Sequence, residues 1–211
     1  MSNTQQHTLD IRRSGRPLDG ASRVLILLHG RGGTAEDIIG LARHLSVDGF
    51  TLLAPQATNH TWYPYSFMMP HEANEPWLSS ALENVKAAVD EVEKAGVEKK
   101  KIYFAGFSQG ACLMLEYLAR NAEGYGGAAA FTGGLIGETP DQSAYKGNFG
   151  GMRVYIGTSD PDPHVPVERV KFTTALLEKM GAKVTERIYP GMGHTITKEE
   201  IDEANKVVFG E

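Results

Sequence analysis

Residues 106–110 read GFSQG, a pattern that places a serine between two glycines. A serine hydroxyl becomes a nucleophile only where the chain exposes it and a neighbouring base accepts its proton. The pattern follows a short apolar run at 101–105 and precedes an apolar helical pattern at 111–119, so it occupies a strand–turn–helix junction. The turn at such a junction is sharp, and glycines avoid crowding between strand and helix. The sequence therefore predicts Ser108 as a catalytic nucleophile.

A serine nucleophile needs a base, and the base needs an acid that orients it; both are expected after Ser108 in the chain. His194 lies in a glycine-rich loop between a predicted strand and the final helix, at the edge where parallel sheets build their sites. We expect His194 to be the base and His164 to lie at the rim. Asp160 and Asp162 both follow a predicted strand, and their spacing does not decide which is the acid.

Two backbone N–H groups are needed to stabilise the negative charge that develops during acyl transfer. We expect one from Gln109, at the start of the helix after the nucleophile, where unpaired N–H groups point at the site. The second is expected from Arg31, in the glycine-rich loop after the apolar run 24–28. His29 precedes the nucleophile, and we expect it to hydrogen-bond to nearby backbone instead of acting in catalysis.

Short apolar runs alternate with helical patterns along the chain, which predicts a mainly parallel sheet with helices on both faces. Two segments, 57–76 and 133–151, interrupt the alternation, but neither is long enough to form a separate cap domain, so one domain over 1–211 is expected. Strands are expected at 24–28, 50–54, 101–105, 127–132, 152–156 and 184–189, with an edge strand at 8–12, and helices at 34–45, 82–96, 111–119, 166–180 and 197–208.

The composition excludes several classes of protein. The 211 residues carry a net charge of −5, which gives no electrostatic basis for binding nucleic acid. The single cysteine, Cys112, cannot form an intrachain disulfide, and we expect a buried, unreactive thiol. No signal-like stretch opens the sequence and no apolar run could span a bilayer, so we expect a cytoplasmic protein without stable membrane anchoring. No metal-ligand spacing is present, and neither a metal nor a cofactor is expected.

The motifs taken together resemble the phospholipase/carboxylesterase family of α/β-hydrolases, which includes acyl-protein thioesterases and small bacterial carboxylesterases. The resemblance runs from about residue 23 to about residue 200. Its segments are LLHGRGG at 27–33, APQA at 54–57, GFSQGA at 106–111, FTGGL at 131–135, DPHVP at 162–166 and GMGHTI at 191–196.

The resemblance implies an α/β-hydrolase fold and makes Asp162 the acid, because the aspartate of the family's D-P-x-V-P segment maps onto it. It also implies Arg31 and Gln109 as the oxyanion hole. Acyl-protein thioesterases usually carry an apolar residue where Arg31 stands, and the neighbourhood of Trp62 resembles the bacterial carboxylesterases instead. Relatives are often dimers, so a homodimer is expected.

The function predicted from these residues is hydrolysis of small carboxylic esters through an acyl-enzyme. The alternative is a lysophospholipase or acyl-protein thioesterase that acts on longer acyl chains with the same residues. A non-catalytic binding protein on the same scaffold would typically lack one of the three catalytic residues, and all three are present. The substrate pocket is expected to be lined by Trp62, Tyr63, Leu135, His164 and Val165, although the aromatic residues of segment 57–76 would equally suit a satellite core.

Overall fold

The run Val24–Leu28 forms a central strand because its alternate side chains enter two separate cores. Ile26 packs into the larger core on one face of the sheet, whereas Leu25 and Leu27 pack into the smaller core on the other. All five residues are fully buried, which is typical of a parallel strand covered on both faces. The computed structural model of the protein describes residues 6–210.

Within the described residues, seven strands form one sheet. The strands are β1 Ile11–Gly15, β2 Val24–Leu28, β3 Thr51–Pro55, β4 Ile102–Phe107, β5 Gly127–Phe131, β6 Arg153–Asp160 and β7 Lys183–Pro190. Their order in the sheet is β1-β3-β2-β4-β5-β6-β7. Strand β1 pairs antiparallel with β3 at the edge, and every other pair is parallel.

Helices cover both faces of this sheet. They are α1 Ala35–Leu41, α2 His71–Asn74, α3 Trp77–Lys94, α4 Gln109–Arg120, α5 Val167–Lys179 and α6 Lys198–Ala204. Helices α3, α4 and α5 supply the larger core, whereas α1 and the segment after α6 supply the smaller one. Helix α4 is buried over nearly its whole length, since it lies directly behind the central strands.

The predicted α/β architecture is confirmed, and the differences lie at the ends of elements. The edge strand occupies 11–15 instead of 8–12, and β6 and β7 extend to Asp160 and Pro190 because they pair over eight residues. The last predicted helix divides into α6 and a π-helical turn at Asn205–Phe209. Residues 1–5 and 211 of the predicted domain lie outside the described residues.

Segment 57–76 lies at the carboxyl edge of the sheet, whereas segment 133–151 starts at that edge and runs back to the C-terminal ends of α4 and α5; neither adds a domain. The first contains a 3₁₀ turn at Thr58–His60 and the short helix α2, and the second is irregular. No helix in the described part of the chain is long and apolar enough to cross a membrane. The parallel strands β2, β4, β6 and β7 end at the same edge, so the loops that follow them meet there.

Candidate active site

Ser108 occupies the turn between β4 and α4, with φ 53° and ψ −118°. A positive φ is uncommon for a residue with a side chain, so the surrounding structure must hold it. Helix α4 approaches the sheet closely here: a Cβ atom at Gly110 would overlap the carbonyl oxygen of Leu28, and one at Gly106 would lie 2.9 Å from the nitrogen of Ala111. Glycine is therefore required on both sides of Ser108.

His194 lies between Ser108 and Asp162 and contacts both. Its Nε2 is 2.8 Å from Oγ of Ser108, and its Nδ1 is 2.8 Å from Oδ2 of Asp162. The carboxylate only accepts, so Nδ1 carries the proton and the lone pair of Nε2 faces the serine hydroxyl. The chain reaches this point through Gly191 and Gly193, both of which have a positive φ after the end of β7.

The second oxygen of Asp162 accepts the backbone N–H groups of His164 and Val165, each at 2.8 Å. Burial raises the pKa of Asp162, but the hydrogen bonds from His194 and these two N–H groups outweigh it and hold the pKa below the usual value. The carboxylate is thus charged whenever His194 can act as a base. Asp160 is exposed, and its backbone oxygen accepts the N–H of Gly191. The structure therefore brings Asp162, and not Asp160, to the imidazole.

The backbone N–H groups of Arg31 and Gln109 make no hydrogen bond to any described residue. Gln109 is the first residue of α4, where a helix leaves its N–H groups unpaired. Both residues line the same cavity as Ser108. The two N–H groups are thus available to an oxygen that binds beside the serine.

The side chains of Arg31 and Gln109 hold one wall of this cavity, which sequence reasoning missed. The Gln109 amide accepts the N–H of Trp62 at 3.0 Å and donates to the carbonyl of Tyr63 at 2.8 Å. The Arg31 guanidinium donates to the carbonyls of Pro64 at 3.0 Å and Tyr65 at 2.7 Å. Four successive residues, 62–65, are thereby fixed to the two residues that carry the free N–H groups.

A cavity of about 700 Å³ opens beside Ser108. Three of the predicted pocket residues, Tyr63, His164 and Val165, line it. Its other lining residues are Arg31, Pro64, Tyr65, Ser66, Phe67, Ser108, Gln109, Cys112, Pro163 and His194.

The placement of Trp62 and Leu135 in the pocket was wrong. Trp62 is fully buried beneath the cavity wall, where its Nε1 donates to the carbonyl of His29 at 2.8 Å and its ring lies 4.9 Å from the imidazole. Leu135 is also fully buried, and its backbone is held by Thr173 and by the guanidinium of Arg169. Both side chains fill core space because a large apolar side chain is stabilised by burial wherever it is covered.

His29 and Cys112 have the structural surroundings expected of them. Nδ1 of His29 donates to the carbonyl of Gly30 at 2.8 Å, and its Nε2 accepts the N–H of Ala57 at 3.1 Å. An imidazole with this bonding is neutral, and burial lowers its pKa further. Burial also raises the pKa of the Cys112 thiol to about 12, which leaves it unreactive.

Ser159 is a further polar residue of the site that sequence reasoning missed. It is fully buried at the end of β6, and its hydroxyl contacts the loops that carry Asp162 and His194. A single serine in a loop rich in aspartate and proline carries no sequence signal, because its role depends on a second loop that lies 34 residues away.

Comparison with known proteins identifies the family. The phospholipase/carboxylesterase family model matches residues 16–208. A crystal structure of a phospholipase/carboxylesterase from Dyadobacter fermentans is 50% identical and superimposes with a TM-score of 0.97 over 98% of this chain and 99% of its own. A probable carboxylesterase of Arabidopsis thaliana is 26% identical over 88% of this chain and 78% of its own length. An acyl-protein thioesterase 1 of Gibberella zeae is 31% identical over 52% of this chain and 47% of its own length. The chain belongs to the phospholipase/carboxylesterase family and is an ester hydrolase of the α/β-hydrolase fold.

Proposed function

We propose that the protein is a serine carboxylesterase that cleaves small carboxylic esters through an acyl-enzyme on Ser108. The observation that carries this proposal is the unbroken hydrogen-bonded series from Ser108 through His194 to Asp162, which opens into a cavity. An activated serine hydroxyl beside two unpaired N–H groups is suited to acyl transfer.

In the first half-reaction, Oγ of Ser108 attacks the ester carbonyl carbon while Nε2 of His194 takes the hydroxyl proton. The carbonyl oxygen becomes an oxyanion, which accepts hydrogen bonds from the N–H groups of Arg31 and Gln109. The bond to the alcohol oxygen then breaks, and the departing alcohol takes the proton from His194. The acyl group remains as an ester of Ser108.

In the second half-reaction, His194 takes a proton from water, and the resulting hydroxide attacks the acyl carbon. The intermediate collapses with release of the carboxylic acid, and His194 returns its proton to Ser108. Asp162 stabilises the imidazolium that forms in both halves, because its carboxylate is charged and accepts the hydrogen bond from Nδ1. In each half-reaction His194 acts first as a base and then as an acid, and no step calls for a cofactor.

The wall formed by residues 63–65 supports a preference for short acyl chains. Because four hydrogen bonds fix this wall and the buried Trp62 next to it, the wall is held against moving aside to enlarge the cavity for a long chain. Each methylene that is buried stabilises the bound ester by about 0.8 kcal/mol, and one that remains in water contributes little. We expect kcat/KM to rise from acetyl to butyryl or hexanoyl p-nitrophenyl esters and then to level. A steady rise through palmitoyl esters would favour the lysophospholipase or thioesterase alternative instead.

The nucleophile is tested with a fluorophosphonate probe and intact-mass measurement. The wild-type protein should gain one adduct, which peptide mapping should locate on Ser108, and Ser108→Ala should lose both the adduct and esterase activity. Ser66→Ala is the matched control, since Ser66 lines the same cavity without contacting His194. An adduct that persists in Ser108→Ala, or one that is lost in Ser66→Ala, would contradict the assignment.

A further inference from the structure

The hydroxyl of Ser159 joins the two loops that carry the acid and the base. It accepts the backbone N–H of Gly193 at 2.9 Å and donates its own proton to the carbonyl of Pro161 at 3.1 Å. Gly193 immediately precedes His194, and Pro161 immediately precedes Asp162. One side chain therefore contacts the chain next to both members of the imidazole–carboxylate pair.

In the loop that carries His194, the imidazole packs against Phe107 and His164, but the two glycines before it have no packing of their own. A Cβ atom at Gly191 or Gly193 would meet no other atom within 4 Å, so these residues are not enclosed by neighbours. Both have a positive φ, and glycine loses more conformational freedom than any other residue when it is fixed. Hydrogen bonds therefore hold these two glycines: Gly193 donates to the hydroxyl of Ser159, and Gly191 donates to the carbonyl of Asp160.

Ser159 itself is well placed to act as an anchor. It is fully buried and lies opposite Tyr189 in the last but one residue pair between β6 and β7. A hydroxyl that accepts one hydrogen bond while donating another is polarised by both, which strengthens each bond. Because Ser159 lies on a paired strand of the sheet, its two hydrogen bonds hold both loops at a fixed position relative to that strand.

We propose that Ser159 is a positioning residue that sets the distance and orientation between Asp162 and His194. The proposal rests on the proposed function, since it concerns the same base and acid. Loss of the hydroxyl frees Gly193 and Pro161, and the imidazole then samples orientations in which Nδ1 no longer meets the carboxylate. A misplacement of about 1 Å in a catalytic group lowers the rate by about 10²-fold.

The test compares Ser159→Ala with Thr158→Val in the esterase assay. Thr158 is the matched control, because it is fully buried on the same strand and its hydroxyl has no hydrogen-bond partner among the described residues. We expect Ser159→Ala to lower kcat by about 10- to 100-fold with KM changed less than about twofold. Thr158→Val should change kcat by less than about twofold.

Two readouts separate positioning from a general loss of stability. The acid limb of the kcat/KM profile should move to lower pH in Ser159→Ala, because an imidazolium that loses its carboxylate partner gives up its proton more easily. The downfield proton resonance of Nδ1 of His194 should broaden or vanish, as its hydrogen bond to Asp162 is interrupted. A variant that is only less stable would show a lower Tm with the acid limb and the resonance unchanged.

A double variant completes the test. In the Asp162→Asn background the pair is already lost, so adding Ser159→Ala should lower kcat by less than about twofold. The positioning role is overturned if Ser159→Ala keeps wild-type kcat, if its acid limb does not move, or if its full effect persists beside Asp162→Asn. A fully active Ser108→Ala would overturn the proposed function instead, so the two failures are distinguishable.

Discussion

Glu200 is a fully buried carboxyl on the first turn of α6, the helix that follows the His194 loop. Its Oε2 accepts the N–H of Thr197 at 2.9 Å, which caps the helix, whereas its Oε1 is buried with no hydrogen-bond partner among residues 6–210. Burial raises the pKa of Glu200 from 4.5 to about 7, against the opposing effect of the Thr197 hydrogen bonds. The folded protein therefore binds this proton more tightly than the unfolded chain.

The raised pKa sets the direction of a stability change with pH. Between pH 4.5 and 7 the folded state retains the proton that the unfolded state has lost, so the free energy of unfolding falls as the pH rises through this window. A pKa difference of one unit is worth about 1.4 kcal/mol, so the rise of the Glu200 pKa from 4.5 to about 7 changes the free energy of unfolding by about 3 kcal/mol in total. About 2.5 kcal/mol of it falls between pH 5 and pH 8.

Glu200→Gln removes the titration and keeps an oxygen that can accept the N–H of Thr197. Any loss of stability caused by the new amide is independent of pH. The informative quantity is therefore how the stability difference between variant and wild type changes with pH. We expect the free energy of unfolding of Glu200→Gln, relative to wild type, to rise by about 2.5 kcal/mol from pH 5 to pH 8. Urea denaturation at half-unit intervals of pH measures it.

Glu199→Gln is the matched control, because Glu199 is an exposed residue on the same helical turn. Its stability relative to wild type should vary by less than about 0.5 kcal/mol over the same pH range. The reasoning is refuted if the difference between Glu200→Gln and wild type is flat, or if it falls as the pH rises.

Three further substitutions test the site and its supports. Asp162→Asn should lower kcat by roughly 10³- to 10⁴-fold by favouring the wrong imidazole tautomer, whereas Asp160→Asn should cost less than about tenfold; steady-state kinetics would show a reversed ranking if the assignment were wrong. Trp62→Ala should lower the free energy of unfolding by about 3–5 kcal/mol and leave the acyl-length preference unchanged, since the ring is sealed from the cavity; a flattened preference would contradict this. Gly110→Ala should abolish activity and lower Tm, because its Cβ would overlap the carbonyl oxygen of Leu28; a stable, active variant would show that α4 can move away from the sheet.

Much of the framework follows from the sequence because it depends on neighbours in the chain. Each predicted parallel strand is present. The apolar runs that form β2, β3 and β5 are buried throughout, as expected for parallel strands covered on both faces. The turn at Ser108, between β4 and α4, was predictable for a similar reason. A glycine on each side of the serine is a local requirement of such a turn between a strand and a helix.

The choice between Asp160 and Asp162 could not be made from their spacing. Asp160 ends β6 and Asp162 comes two residues later, and either carboxylate would suit a turn before proline. The tertiary structure distinguishes them, because the backbone N–H groups of His164 and Val165 fix one carboxylate under the imidazole and leave the other in water.

Only the tertiary structure decided which side chains line the cavity and which support it. Trp62 and Tyr63 are neighbouring aromatic residues that are both fully buried, yet only Tyr63 also lines the cavity. The roles of Arg31 and Ser159 also depend on segments far away in the chain, with which their side chains form hydrogen bonds. Sequence determines where a strand or a turn forms, because those are local equilibria. The register of the sheet then determines which distant loops meet, and no local pattern records that contact.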